Sequence, residues 1–230
     1  MSDHESANDA VPPSQHPASG SRHNTRPVII SGPSGSGKST VVRQLILRQR
    51  LPLVLSVSAT TRDPRPGEND AEHYHFISDA AFQQMRDDNA FLECKEVFGR
   101  GHWYGTPLSE VTSGLNRGQW VILEIDVQGA LSLIGDENET GASQNAAVSQ
   151  FQQLQPISIF IHSGGMDELE RRLRGRGTET ESAIRRRLET AQNELRLRDR
   201  YQYEIINDRV DATVDQIESI LLQNANPPGE

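Results

Sequence analysis

The chain of 230 residues has a single cysteine, Cys94, which excludes an internal disulfide framework and a cysteine-ligated zinc site. No apolar run approaches the ~20 residues that a membrane span needs, so no membrane partner is expected. Positive charge is also short: 32 acidic side chains face 23 basic ones, for a net charge of -9. Such a balance is repelled by a phosphate backbone, and no nucleic-acid partner is expected. Lysine is the scarcest basic type. Only Lys38 and Lys95 are lysines, and the other 21 basic residues are arginines. A lysine in so arginine-biased a chain calls for a specific explanation. The apolar share, 34%, is low, and polar segments at both ends account for part of it. The length suits one or two domains with a substantial core.

Residues 1–25 carry no periodic apolar pattern, so a disordered tail is expected there. An acidic start and the lack of an apolar stretch argue against a signal peptide, and sparse arginine argues against a transit peptide. Residues 225–230 read as a second tail, leaving 26–224 as one folded unit. In that unit, short apolar runs alternate with helical patterns. Strands are expected at 27–31, 53–58, 120–126, 158–162 and 203–207. The run WVILEID is apolar until its acidic end, which suits a strand covered on both faces. Helices are expected over 39–50, after Thr106 as N-cap with Pro107 in the first turn, and over the apolar series Val210, Val214, Ile217, Leu221. This alternation predicts an α/β fold with a largely parallel sheet. Residues 135–150 are polar and aperiodic and read mainly as a surface loop.

Residues 32–39 read GPSGSGKS, which matches G-x-x-x-x-G-K-[ST] between a strand and a helix. Glycines let successive backbone N–H groups turn inward around a phosphate, and the helix start adds its positive dipole end. Lys38 is expected to reach the outer phosphates of a nucleotide, with Ser39 on Mg²⁺. Residues 58–68 read SATTRDPRPGE. Arg62 and Arg65 lie in a segment stiffened by Pro64 and Pro66 and suit bidentate phosphate binding. Read alone, they fit a solvated turn equally well; a phosphate loop one strand earlier favours the anion site. Two such sites suggest a triphosphate donor and a phosphorylated acceptor. An acceptor already anionic needs no general base, leaving positioning and charge neutralisation. His73 and His75 would share a strand face, but the spacing gives no reason to expect a metal there.

The segment Arg171–Arg187 holds seven arginines and two glutamates, and Gly175 and Gly177 interrupt it as a candidate hinge. It reads as a lid closing over phosphates, as two solvated amphipathic helices, or as a nucleic-acid patch. The last lacks interleaved aromatics.

The motifs GPSGSGKST, SVSATTRDPRPGE, EHYHF, FLE, WYGT, LEIDVQGA, RLRGRGTET and IIND occur in this order. Together they resemble the guanylate kinase family of P-loop nucleoside monophosphate kinases, over most of residues 26–222. The resemblance implies a P-loop kinase fold with a parallel-sheet core, a GMP-binding region at about 56–118 and an arginine-rich lid at about 166–198. It implies transfer of phosphate from ATP to GMP, and to dGMP, with Mg²⁺, in the cytoplasm. Carried over residue by residue, Gly32, Pro33, Ser34, Gly35, Ser36, Gly37, Lys38, Ser39 and Thr40 bind ATP, and Asn207 lies near its adenine. Arg62, Arg65, Tyr74 and Tyr104 grip the GMP phosphate. Ser58, Glu93 and Thr106 read guanine, whose N1–H and N2–H₂ a carboxylate can accept together. Glu124 and Asp126 lie near acceptor and metal. Arg172, Arg176 and Arg187 clamp phosphates, and Lys38, Arg62, Asp126 and these three arginines form the catalytic set.

The chain departs from the family pattern in places. Glu124 stands where aspartate is common, Gly101 and His102 lengthen the stretch before WYGT, residues 135–150 look inserted, and Arg209 replaces an acid after IIND. A guanylate-kinase-like binding module without catalysis is the alternative from another class. It is disfavoured by the intact loop and lid arginines. A P-loop kinase for another phosphorylated small molecule is disfavoured by Glu93 and Ser58.

Overall fold

A computed structural model describes residues 25–96, 101–135, 146–175 and 180–225. The chain begins with β1 (Pro27–Ser31), buried at every position, and passes through the glycine loop into α1 (Lys38–Leu47). It continues through β2 (Leu53–Leu55), β3 (Ala59–Thr60), β4 (His75–Phe76), α2 (Asp79–Asp87), β5 (Phe91–Glu96), β6 (Trp103–Pro107) and α3 (Leu108–Asn116). Next come β7 (Trp120–Glu124), α4 (Val127–Ile134), α5 (Ala146–Gln153) and β8 (Ile157–His162). The last elements are α6 (Met166–Gly175), α7 (Glu181–Leu195), β9 (Tyr203–Ile206) and α8 (Val210–Ala225).

Five strands form a parallel sheet in the order β2-β7-β1-β8-β9. Its apolar runs are continuous because both faces are covered. Val28 and Ile30 of β1 pack with Val41, Leu45, Val214, Ile217 and Leu221 of α1 and α8. Ile29, one residue away and on the opposite face, packs with Val127, Leu133 and Phe151 of α4 and α5. Trp120 and Ile122 against Val121 and Leu123 repeat that alternation on β7. Each such fully buried side chain contributes roughly 1.5–3 kcal/mol.

A second sheet has the order β4-β3-β6-β5, with β3–β6 and β6–β5 antiparallel. Ala59, Phe82 and Phe91 form its small core, Phe82 stacking on Phe91 at 4.4 Å. Helices α6 and α7 have a core of their own, Leu169, Leu173, Ile184 and Ala191.

The α/β expectation holds, with adjustments. Strand β2 stops at Leu55, because the chain must leave the first sheet to start the second at Ala59. Pro107, not Thr106, is the N-cap of α3, and no side chain caps that helix. The polar stretch 135–150 is not all loop: α5 begins at Ala146 and buries Ala147 and Phe151. The sequence reading missed α2, α4 and the second sheet. The expected tails, most of the 135–150 stretch and Gly177 lie outside the described residues.

Candidate active site

The loop between β1 and α1 is shaped by its own backbone. Ser36 N–H donates to the Pro33 carbonyl at 3.2 Å. Gly37 has φ +90°, and a Cβ there would fall 2.5 Å from Asn207 Nδ2, so glycine is required twice over. Lys38 Nζ donates to the carbonyls of Gly32 (2.6 Å) and Pro33 (3.0 Å), lying back across the loop. Ser39 Oγ donates to Glu124 Oε1 at 2.5 Å. Thr40 is exposed on the first turn of α1.

Beside the loop stand helices α6 and α7. Leu169 and Leu173 of α6 pack beside Gly35. Arg172 donates to the carbonyls of Ser36 (3.4 Å) and Asn207 (2.8 Å), with Glu168 Oε1 on its Nε at 2.7 Å. The Arg171 and Arg172 guanidiniums hold the Glu168 carboxyl at about 2. Arg187 reaches Ser34 Oγ at 3.4 Å. Arg176 lies outside the described residues. Asn207 is buried, 2% exposed, and donates from Nδ2 to the Ser36 carbonyl at 2.8 Å while Thr213 Oγ1 donates to its Oδ1 at 3.1 Å. Its side chain therefore supports the loop from below.

The second sheet supplies another cationic corner. Arg62 Nε donates to Tyr104 Oη at 3.0 Å, and its guanidinium stands 5.6 Å from the centre of the Tyr74 ring. Tyr74 and Tyr104 meet edge to face at 5.7 Å. Both guanidinium ends of Arg62 donate to Glu68, at 2.9 and 3.0 Å, and the Arg65 N–H donates to the same carboxylate at 2.7 Å. Those donors hold the Glu68 carboxyl below its ordinary value. The Arg65 side chain is exposed. Three of the four residues read as a phosphate grip thus touch one another.

Beside them, Thr106 Oγ1 donates to Glu93 Oε1 at 2.7 Å across the β5–β6 pair. Burial pushes the Glu93 carboxyl up, against the pull of that hydroxyl and of Lys95. Ser58 holds its place through its carbonyl, which accepts from His75 N–H at 2.9 Å. His73 Nδ1 accepts from Asn69 N–H, and His75 Nε2 pairs with Glu110 at 3.0 Å, so the two histidines face different partners.

The acidic end of β7 joins the two halves. Glu124 faces Ser39 of the loop. Asp126 caps α4 by accepting from Gly129 N–H at 2.9 Å and forms an ion pair with Lys95 of β5. Three residues here escaped the sequence reading: Glu68, Glu168 and Lys95. Lys95 had a signal in the scarcity of lysine. Glu68 had one in the turn that folds it back toward Arg62. Glu168 lies four residues before Arg172 on α6, a spacing that keeps the pair on one helix face.

Comparison with known proteins shows what the whole chain is similar to. The family model for guanylate kinase matches residues 24–140 and 141–224. A guanylate kinase of Rhodopirellula baltica is 53% identical over 210 residues, covering 91% of this chain and 93% of that protein. A guanylate kinase of Desulfitobacterium hafniense is 42% identical over 195 residues, 85% of this chain and 88% of that one. The crystal structure of guanylate kinase from Anaplasma phagocytophilum superposes with a TM-score of 0.62 at 28% identity, covering 89% of each chain.

Proposed function

The chain belongs to the guanylate kinase family, and from that membership we propose that it transfers the terminal phosphoryl group of ATP to GMP, giving ADP and GDP. The observation that carries the reading is the end of β7. Glu124 touches the phosphate loop through Ser39, and two residues later Asp126 touches β5 of the second sheet through Lys95. One short acidic segment thus ties the glycine loop to the second sheet, which carries both an arginine–tyrosine corner and a half-buried carboxylate.

The donor side is the loop Gly32–Thr40. Its N–H groups cradle phosphates, and Lys38 exchanges the Gly32 and Pro33 carbonyls for phosphate oxygens. Ser39 and Glu124 offer hard oxygen donors, the type that suits Mg²⁺, with ATP phosphates completing the set. The metal would neutralise charge on the bridging oxygens. Arg172 and Arg187 reach the loop from the lid, residues 166–198, and Arg176 joins them in this assignment.

The acceptor side is the region 56–118. Arg62, Arg65, Tyr74 and Tyr104 take the GMP phosphate, Arg62 exchanging Glu68 for it. Glu93, with Thr106 and Ser58, takes the guanine edge, and Asp126 lies beside it. The same contacts to base and phosphate are open to dGMP, which we propose as a second acceptor. The acceptor phosphate attacks as an anion, so no base is required. The activity is assigned to the cytoplasm; among the described residues no helix is long and apolar enough to cross a membrane.

The test is ADP release with ATP, Mg²⁺ and each nucleoside monophosphate in turn. Turnover with GMP and dGMP but little with AMP, CMP or UMP is expected. Folded protein that releases no ADP with any of them would overturn the reading in favour of a binding module.

A further inference from the structure

The chain has two lysines among 23 basic residues, and both lie in this cleft. Lys38 belongs to the phosphate loop. Lys95 lies on β5, two residues after Glu93, and in a strand residues two apart share a face. Its register partner is Tyr104, whose hydroxyl accepts from Arg62. Its ammonium pairs with Asp126 Oδ2, while Asp126 Oδ1 accepts from Gly129 N–H at the start of α4. Both oxygens of Asp126 are therefore engaged, one by the helix start and one by Lys95.

Glu93 converges on the same place. A Cβ on Gly129 would stand 3.3 Å from Asp126 Oδ1 and 3.5 Å from Glu93 Oε2. Two carboxylates thus crowd the first turn of α4. Neighbouring like charges repel, and a nearby cation relieves that repulsion. Lys95, ion-paired to Asp126 and on the strand face of Glu93, is such a cation. The groups facing the pair are Thr106 and Tyr104 from β6, Arg86 from α2, Glu194 from α7 and Lys95 from β5 itself. Burial lowers the Lys95 ammonium and raises the Glu93 carboxyl, and each charge opposes the shift of the other.

We propose that Lys95 is a positioning residue for the acceptor nucleotide: it holds the second oxygen of Asp126, the one the helix start leaves, and places a positive charge on the strand face that carries Glu93. This rests on the assignment of Glu93 to the guanine edge. The residue acts through Glu93 and Asp126 and need not touch the nucleotide.

The experiment compares wild type, K95M, K95Q, K95R, D126N and K95M/D126N in steady-state kinetics between pH 5 and 9, with thermal melting of each. At pH 7, K95M and K95Q should raise KM for GMP roughly tenfold, the loss of one charge-assisted contact, while KM for ATP stays within about twofold. The acid limb of kcat/KM for GMP should move to higher pH in both, since Glu93 without its cation protonates more readily. K95R should restore the limb by restoring the charge. In the D126N background K95M should cost less than in wild type, because part of its effect passes through Asp126. An unchanged KM for GMP with an unmoved acid limb would overturn the proposal, as would K95M and D126N effects that multiply fully. So would a K95R variant as impaired as K95M, which would mean that shape, not charge, matters. A wild type inactive on GMP would instead overturn the functional reading; active wild type with indifferent Lys95 variants would overturn this inference alone.

Discussion

Asn207 Nδ2 donates to the carbonyl oxygen of Ser36 over 2.8 Å, joining the end of β9 to the middle of the phosphate loop. The same side chain accepts from Thr213 Oγ1 of α8 at 3.1 Å. Both partners are buried, so replacing Asn207 by alanine leaves a carbonyl and a hydroxyl with reduced pairing. The cost should be about 2 kcal/mol, which for a chain of this size lowers the melting temperature by roughly 4–8 °C. KM for ATP should rise while KM for GMP stays within about twofold, because the loop alone loses its support. Thermal melting with both KM values measures this. An Asn207→Ala enzyme with wild-type melting and wild-type ATP affinity would show that the loop holds its shape unaided.

Lys38 lies on the outward side of that loop, half-buried, with its ammonium on the Gly32 and Pro33 carbonyls. Lys38→Ala removes a cation from the position where donor phosphate charge must be neutralised. ADP release should fall by roughly a thousandfold with little change in melting temperature. Lys38→Arg should not rescue it, since a planar guanidinium cannot take the place of a compact ammonium between two carbonyls. Near-normal turnover in either variant would remove Lys38 from the donor site.

Glu93 gives a prediction about specificity and pH together. Glu93→Gln keeps the shape and can still accept from Thr106, but it turns one acceptor oxygen into a donor. KM for GMP should rise by roughly 10- to 100-fold, and the preference for GMP over IMP, which lacks the N2 amino group, should collapse. Because burial holds the Glu93 carboxyl above its ordinary value, the charged form is lost as pH falls through that raised value. The wild-type acid limb for GMP should therefore begin at a higher pH than an exposed glutamate would give, and Glu93→Gln should abolish that limb. Unchanged GMP-to-IMP discrimination in the variant would place the base elsewhere.

The sequence made the parallel sheet and the phosphate loop legible because both are local patterns. PVII, WVIL and SIFI are continuous apolar runs, and GPSGSGKS fixes a loop by its glycines. The second sheet had no such signature. Ala59–Thr60 and His75–Phe76 are two residues each, too short for any period, and exist because β6 lies beside β3. Helix α2 shows only Phe82 and Met85 as apolar anchors. Helix α5 was obscured by the polar stretch before it, although Ala147 and Phe151 already had helical spacing. At the site, the residues of one short motif were visible, while partners from distant elements were not. Glu68 on Arg62, Glu168 on Arg172 and Asp126 on Lys95 are ion pairs that turns, helix faces and sheet contacts create. Pro107 suggests Thr106 as a helix cap, which it is not, whereas the resemblance that groups Thr106 with Glu93 agrees with the hydroxyl–carboxylate contact that β6 provides.

Tyr201 provides a test of the core that is independent of catalysis. It precedes β9, is 8% exposed and packs edge-on against Phe160 at 5.1 Å. Burial, with the nearby Glu194 carboxylate adding to it, pushes the phenol up to about 12 from an ordinary 10.0. The neutral phenol is thus favoured in the folded chain and ionises first in the unfolded one. Its contribution is complete below pH 10 and is lost as pH rises from 10 to 12, a loss of roughly 2–3 kcal/mol. Tyr201→Phe keeps the ring and removes the titration. Its unfolding free energy, measured by denaturant at steps from pH 9 to 12, should fall less steeply than that of wild type in this window, and the two curves should run parallel below pH 10. Every other alkaline titration is common to both proteins, so the difference isolates this one phenol. Parallel curves across the whole range would mean that solvent reaches Tyr201 in the folded state.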